Sequence, residues 1–223
     1  MRRGRVFGGL LGYALLSVLL AGVTAFAAPG TAHGSGTGDG ATRRILVLGD
    51  SLSAEYGLPR GTGWVTHVEQ RLKQRNQAYQ IRNASISGDT TIGGLQRLPQ
   101  LLQEFSADIV ILQLGANDGL RGLPVQEMRA NLQKMIELSR AQGAEVLLLG
   151  QHVPPNYGPR YSREFHEAFV TLAEDTGVAL VPFMLEAIAT DPDMLQPDGL
   201  HPTAPAQARI AETIWPQLEP LLR

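Results

Sequence analysis

Ser51 stands where a hydroxyl could act as a nucleophile, directly behind the first strongly apolar run of the chain. Residues 45–48 read Ile-Leu-Val-Leu, and Gly49, Asp50, Ser51 and Leu52 follow. An apolar, β-rich run that ends in glycine and turns at once can hold a serine at the edge of a sheet. Asp and Ser also cap helices, so these residues alone leave a purely structural role open. Whether Ser51 is a nucleophile or only a helix cap depends on whether other loops supply a base, a carboxylate and oxyanion donors.

Asp198 and His201 could make that hydroxyl reactive. They are three residues apart, just before the last helical pattern. One turn can therefore place the carboxylate against Nδ1 of the imidazole while Nε2 faces Ser51. A serine becomes nucleophilic when an imidazole takes its proton and a carboxylate holds that imidazole in the right tautomer. Because the base must be neutral, we expect activity to rise with pH through the range in which imidazoles lose a proton.

Two further loops offer hydrogen-bond donors for the negative oxygen of a tetrahedral intermediate. Gly88 has no side chain to shield its backbone N–H, and Asn117 carries an amide. With the N–H of Ser51 they make three candidate oxyanion donors. This set predicts acyl transfer, with catalytic Ser51, Asp198 and His201 and with neither a metal nor an organic cofactor.

These residues need elements that bring them together, and the chain supplies an alternation of strands and helices. The central apolar runs are continuous rather than alternating, which is typical of strands covered on both faces. Predicted strands are 45–49, 79–83, 108–114, 145–150 and 178–181; predicted helices are 64–75, 92–105, 125–142, 163–176 and 205–222. The pattern predicts an α/β fold in which a parallel five-stranded sheet lies between helical layers. Ligands bind such sheets at the carboxyl ends of the strands, where all the candidate loops lie.

Composition narrows the class of protein further. The chain has 223 residues, 19 Lys and Arg against 21 Asp and Glu, and no cysteine. It is long enough for one domain with its own core. A balanced charge indicates no nucleic-acid partner, and the lack of cysteine excludes disulfides and thiolate sites. No heptad seam or long exposed apolar helix indicates a protein partner, so a monomer is expected.

The N-terminal residues read as a targeting segment. Three arginines within the first five residues precede an apolar stretch, and residues 25–27 read Ala-Phe-Ala, which resembles a signal-peptidase site. We therefore expect a cleaved signal peptide at 1–27, a flexible Gly-rich linker at 28–42 and one catalytic domain at 43–223, periplasmic or secreted and without stable membrane insertion. The apolar stretch approaches spanning length, so an uncleaved anchor is the alternative.

The four blocks around Ser51, Gly88, Asn117 and His201, in this order, resemble the SGNH (GDSL) hydrolases. The stretches 83–90, 117–122 and 156–158 are similar to the bacterial thioesterase and arylesterase subgroup of that family. The resemblance runs from about residue 43 to the C-terminus. It implies a flavodoxin-like three-layer α/β/α fold and hydrolysis of aryl esters, acyl thioesters and lysophospholipids through an acyl-enzyme intermediate. Glu55 and Ala116 depart from the expected small residue and glycine.

Other readings of the same residues remain open. His152 follows the fourth predicted strand and is the rival base, although no carboxylate lies within a turn of it. Asp50 and Asp118 could belong to a metal-dependent phosphoesterase, although Asp50 is expected to bind backbone N–H groups of its own loop. A catalytically silent binding protein on the same fold is the other alternative.

The substrate is expected to be a small-molecule ester or a lipid, and apolar loop residues could bind its acyl group. Leu120 and Tyr157 are the main candidates, because both lie among glycines that would let a loop move. The full set of nominated residues is Leu120, Pro154, Pro155, Tyr157, Phe183 and Met184.

Overall fold

The structure is a computed structural model, and it describes residues 42–222. The expected signal peptide and nearly all of the expected linker lie outside the described residues, so these two predictions stay predictions.

Strands and helices alternate through this range, as the apolar pattern predicts. The strands are β1 (Arg43–Gly49), β2 (Tyr79–Asn83), β3 (Ile109–Gln113), β4 (Glu145–Leu149) and β5 (Ala179–Val181). The helices are α1 (Trp64–Gln74), α2 (Thr91–Phe105), α3 (Ala116–Leu120), α4 (Val125–Ala141), α5 (Pro159–Thr176) and α6 (Ala204–Leu218). Short 3₁₀ turns occur at Pro155–Tyr157, Pro192–Met194 and Glu219–Leu221.

All five strands are parallel and form one sheet in the order β2-β1-β3-β4-β5. β1 lies next to β3 in the interior, and its register pairs Gly49 with Gln113. β2 therefore lies on one side of β1, and β3, β4 and β5 follow on the other side. The carboxyl ends of β1 and β3 meet at the point where the strand order reverses, which is where such sheets bind ligands. The predicted α/β class and five-stranded sheet are confirmed.

Helices cover both faces because alternate residues of each strand point to opposite sides. On β1, Leu46 and Leu48 pack in a core with α2, α4 and α5, whereas Ile45 and Val47 pack in a second core with α1 and α6. Burial of both sets explains why the run is apolar without alternation.

The largest differences from the predicted elements concern α5, α6 and α3, and the other boundaries differ by two residues at most. Helix α6 ends at Leu218 rather than at 222, because a 3₁₀ turn follows it. Helix α5 begins at Pro159 rather than at 163, because proline at the first helical position has no N–H to satisfy and its φ is already suitable. The five-residue helix α3 was not expected; it begins after Gly115, whose φ of 120° reverses the chain at the end of β3. Among residues 42–222, no helix is both long enough and apolar enough to cross a membrane.

Candidate active site

Ser51 lies in the turn that follows β1, at the carboxyl edge of the sheet. Its Oγ is 2.8 Å from Nε2 of His201, which follows β5 in the chain. Gly49 makes this tight turn feasible: a Cβ there would lie 2.7 Å from Oε1 of Gln113 and 2.9 Å from Oγ of Ser85. The end of β1 thus lies so close to Gln113 and Ser85 that only glycine fits at position 49.

Asp198 holds the other side of the His201 ring. Nδ1 of His201 is 2.6 Å from Oδ2 of Asp198, while Oδ1 accepts the backbone N–H groups of Leu200 and His201 at 2.9 and 3.0 Å. Burial acts to raise the pKa of Asp198, but the hydrogen bonds from His201 and Leu200 outweigh it and lower that pKa to about 2. The carboxylate is therefore an anion at neutral pH and fixes a proton on Nδ1.

Tyr56 covers the imidazole from the opposite loop. Its ring centroid lies 4.4 Å from that of His201, with the planes inclined at 38°. Nε2 of Gln196 donates to the carbonyl oxygens of Tyr56 and Pro202, at 2.9 and 3.0 Å. The side-chain amide of Gln196 thus joins the loop after Ser51 to the loop that carries His201. Sequence reasoning assigned neither side chain a role.

Gly88 and Asn117, the expected oxyanion donors, lie in two loops that bind each other. Nδ2 of Asn117 donates to the carbonyl of Asp89 at 2.9 Å, and Arg121 donates to the carbonyl of Gly88 at 2.9 Å. Gly88 has a φ of 80°, a left-handed conformation that side chains disfavour. Asn117 borders the same cavity as Ser51, whereas Gly88 is not part of its lining.

A buried polar network lies next to Ser51 in the turn after β1. The N–H of Asp50 donates to Oε1 of Gln113 at 3.2 Å, and Nε2 of Gln113 donates to Oδ1 of Asp50 at 2.9 Å. The hydroxyl of Ser53 also donates to Oε1 of Gln113, at 2.6 Å, and accepts from Nε1 of Trp64 at 3.1 Å. The network therefore joins the turn that contains Ser51 to β3 and α1.

Asp50 is fully buried within this network. Burial raises its pKa from 3.8 to about 6, against the lowering effect of Gln113 and of the Leu52 N–H. Its Oδ1 accepts that N–H at 3.0 Å, which is the expected bond within its own loop, while Oδ2 has no hydrogen-bond partner among the described residues. The only signal for this network in the sequence is a glutamine at the end of the apolar run 109–112.

A cavity of about 420 Å³ opens beside Ser51, Asn117 and His201. Its walls are mainly apolar and come from the loops at the carboxyl edge. The apolar lining residues are Leu52, Ala116, Leu120, Val153, Pro154, Pro155, Phe183, Leu185, Ala189, Leu195 and Leu200. Such a surface suits a hydrocarbon group held next to the serine hydroxyl.

Four of the six nominated acyl-binding residues line this cavity, and two do not. Tyr157 is not part of the lining, and its hydroxyl donates to the backbone carbonyl of Leu120 at 2.7 Å. Met184 is fully buried and belongs to the core beneath α6. A residue that follows a strand can turn toward the core, which sequence position alone does not reveal.

His152, the rival base, also lines the cavity. Its ring stacks on His166 at 4.0 Å and meets the edge of Phe183 at 4.4 Å. Desolvation, together with the neighbouring His166, lowers the pKa of His152. It shares no hydrogen bond with Ser51, whose hydroxyl is next to Nε2 of His201.

The carboxylates considered as metal ligands are bonded within the protein. Oδ2 of Asp118 accepts the backbone N–H of Thr91 at 2.9 Å, and Oδ1 accepts its hydroxyl at 2.5 Å. Over residues 42–222, no three His, Asp or Glu side chains are grouped so that they could hold a metal ion.

Comparison with known proteins names the family. Residues 47–209 match the GDSL-like Lipase/Acylhydrolase family. The chain belongs to this family. It is 47% identical to Esterase TesA of Pseudomonas aeruginosa over 186 residues, which cover 83% of this chain and 92% of that protein. It is 39% identical to Thioesterase 1/protease 1/lysophospholipase L1 of Escherichia coli K12, over 80% of this chain and 84% of that one.

A solved structure agrees with this membership of the GDSL family. The psychrotrophic esterase EstA from Pseudoalteromonas, in a crystal structure inhibited by monoethylphosphonate, superposes with a TM-score of 0.77. The two chains are 41% identical, and the match covers 81% of this chain and 98% of the other.

Glu55, one of the two departures from the pattern expected of a GDSL hydrolase, has a structural function here. Its φ of 59° is left-handed, which is uncommon outside glycine and asparagine. Its carboxylate accepts the backbone N–H of Gly61 at 3.0 Å and of Gly63 at 2.7 Å. Gly63 precedes the first residue of α1, so the side chain closes the loop between Tyr56 and that helix.

Proposed function

We propose that this GDSL-family chain hydrolyses carboxylic esters and thioesters through an acyl-enzyme intermediate on Ser51. The observation that carries the proposal is the unbroken line of hydrogen bonds from Ser51 Oγ to His201 Nε2 and from His201 Nδ1 to Asp198, at 2.8 and 2.6 Å.

In the first step Ser51 Oγ attacks the acyl carbon and its proton passes to Nε2 of His201. Asp198 stabilises the imidazolium that forms and keeps the ring oriented. The tetrahedral intermediate then collapses as His201 returns the proton to the departing alcohol or thiol. Water attacks the acyl-enzyme by the same route in reverse, giving a carboxylic acid and the free serine.

The negative oxygen of each intermediate is held by the backbone N–H groups of Ser51 and Gly88 and by Nδ2 of Asn117. One hydrogen of the Asn117 amide is directed at Asp89. An amide nitrogen carries two hydrogens, so the other is free for the oxyanion. Losing one such donor costs about 3–4 kcal/mol of transition-state stabilisation.

The substrates that we propose are small esters and lipids with an apolar acyl group: aryl esters, acyl thioesters and lysophospholipids. The apolar lining of the cavity beside Ser51 supports this. The names of the relatives point the same way. The N-terminal sequence supports export, so we place the reaction in the periplasm or outside the cell. Lipid esters fit that location better than a cytoplasmic thioester.

The proposal is tested with p-nitrophenyl esters of increasing chain length and a Ser51→Ala variant. The unsubstituted protein should turn them over, and the variant should be slower by more than about a thousandfold. A variant with unchanged activity would overturn the assignment of Ser51. Activity that a chelator abolishes and a divalent ion restores would contradict the serine mechanism.

A further inference from the structure

The exposed apolar side chains of this protein are not scattered. Among residues 42–222 the exposed large apolar side chains are Tyr56, Ile86, Ile92, Leu123 and Leu200. Tyr56, Ile86 and Leu200 lie between the carboxyl end of a strand and the next helix, Leu123 lies between α3 and α4, and Ile92 lies in the first turn of α2. None lies in the loops at the amino edge of the sheet.

Hydrogen bonds and ring contacts connect these residues around the catalytic serine. Leu200 borders the cavity and precedes His201, whose ring packs on Tyr56. The N–H of Ile86 donates to the carbonyl of Gly49, two residues before the nucleophile, at 3.0 Å. Leu200 lines the cavity, and the other four side chains lie on neighbouring segments at the same edge of the sheet as Ser51. We call these five side chains the apolar rim.

Leu123 and Ile92 extend the rim on the side of the oxyanion donors. Leu123 follows α3 closely, and its loop is joined to the Ile86 loop by the bond from Arg121 to Gly88. Ile92 is the second residue of α2, whose first residue is bonded to Asp118 of α3. Exposed apolar side chains concentrated on the edge of the sheet that carries a binding site are typical of a region that contacts a partner or a membrane.

Charge on the same loops indicates the partner. The loops after β1, β2 and β3 contain four carboxylates, and the protein engages all of them. Asp50 is buried, Glu55 binds Gly61 and Gly63, Asp89 pairs with Arg97, and Asp118 binds Thr91.

The two arginines of these loops, Arg60 and Arg121, are exposed, and neither forms an ion pair with the described residues. The surface around Tyr56, Ile86 and Leu123 is therefore apolar and cationic. The loop after β5, which carries Leu200, adds the exposed carboxylates of Glu186 and Asp193. The combination of apolar and cationic side chains fits an anionic phospholipid surface, into which apolar side chains insert while arginines contact phosphates.

We propose that the apolar rim docks the enzyme on anionic phospholipid surfaces, so that a lipid ester enters the cavity directly from the lipid layer. The inference deepens the proposed function, because it concerns the lipid substrates of the same site. Docking would align the cavity entrance with the acyl chains and spare the substrate a passage through water.

Binding is measured by flotation with vesicles of phosphatidylcholine alone and of equal parts phosphatidylcholine and phosphatidylglycerol. The protein is recovered after export and carries Ser51→Ala, so that nothing is hydrolysed. We expect a larger bound fraction with phosphatidylglycerol, which falls as salt is raised. Ile86→Ser with Ile92→Ser, and separately Arg60→Gln, should lower it several-fold, whereas Lys134→Gln, an exposed cation on α4, should not. All forms share the same N-terminal residues, so a difference in bound fraction between them is caused by the substituted side chains and not by the N-terminal segment.

A second readout uses the active serine. The Ile86→Ser, Ile92→Ser protein should hydrolyse soluble p-nitrophenyl acetate at the normal rate, which also shows that it is folded, but should cleave lysophospholipid in the mixed vesicles several-fold more slowly. Equal binding by all forms, or no binding by any, would overturn the proposal. So would a dimer in gel filtration that the double substitution abolishes, because the rim would then bind a second copy. Failure of the unsubstituted protein on p-nitrophenyl acetate would instead count against the proposed function.

Discussion

Gln113 and Asp50 bind each other twice. The N–H of Asp50 donates to Oε1 of Gln113, and Nε2 of Gln113 donates to Oδ1 of Asp50. Both residues are buried, and Ser51 follows Asp50 directly. The turn that contains Ser51, the proposed nucleophile, is therefore held by an amide at the end of a different strand.

Gln113→Leu should lower the free energy of unfolding by about 1–3 kcal/mol, since it leaves buried groups of Asp50 and Ser53 without partners. We also expect a lower kcat, because the turn that contains Ser51 loses its support from β3. Urea unfolding and ester kinetics measure the two effects. Gln151→Leu is a matched control: it is a buried glutamine whose Nε2 already has no partner among the described residues. Equal costs for the two substitutions would contradict the role given to Gln113.

Glu55→Ala should loosen the loop between Tyr56 and α1, because it removes the acceptor for the N–H groups of Gly61 and Gly63. We expect a loss of about 1–3 kcal/mol in stability and faster proteolysis within residues 57–63. Glu55→Gln keeps an acceptor and should recover part of the loss. If Glu55→Gly were as stable as the unsubstituted protein, relief of the left-handed backbone would outweigh the carboxylate bonds.

Asp50 should make stability fall as pH rises from about 4 to about 6. Its pKa is about 6 in the folded chain and near 3.8 when unfolded, so the unfolded chain releases the proton first and is favoured as pH increases. The full effect is about 3 kcal/mol. Asp50→Asn is neutral throughout and should remove this fall.

Urea unfolding of both proteins across that range gives the difference directly, and other titrating groups cancel in the comparison. A stability difference that does not change with pH would contradict the raised pKa.

Leu120→Ala should move the preferred acyl chain toward longer or bulkier groups, because it enlarges one wall of the cavity. Turnover of a short aryl ester should change little. Tyr157→Phe is a useful comparison, since Tyr157 lies outside the lining and only its bond to the Leu120 carbonyl is lost. An equal loss of kcat/KM at every chain length would count against Leu120 as a determinant of specificity.

The sheet and the residues around Ser51 could be predicted because their signals are local. Continuous apolar runs indicate covered strands, and the spacing between Asp198 and His201 lets a single turn join them. The bond between Gln113 and Asp50 could not be predicted in this way. It depends on the register that sets Gly49 of β1 beside Gln113 of β3. Tyr157 shows the same limit, because its position in the chain does not reveal that its hydroxyl bonds to the Leu120 carbonyl and that it lies outside the cavity lining.

The central claim is that Ser51 is the nucleophile and that His201 activates it. The most direct measurement is labelling with a fluorophosphonate, followed by mass spectrometry of the peptides, for the unsubstituted protein and for His201→Ala. We predict a single covalent adduct on Ser51, formed more than about a hundredfold more slowly in the variant, since the imidazole no longer takes the proton. Ester hydrolysis without an adduct on Ser51, or an adduct on another residue that abolishes activity, would contradict the account.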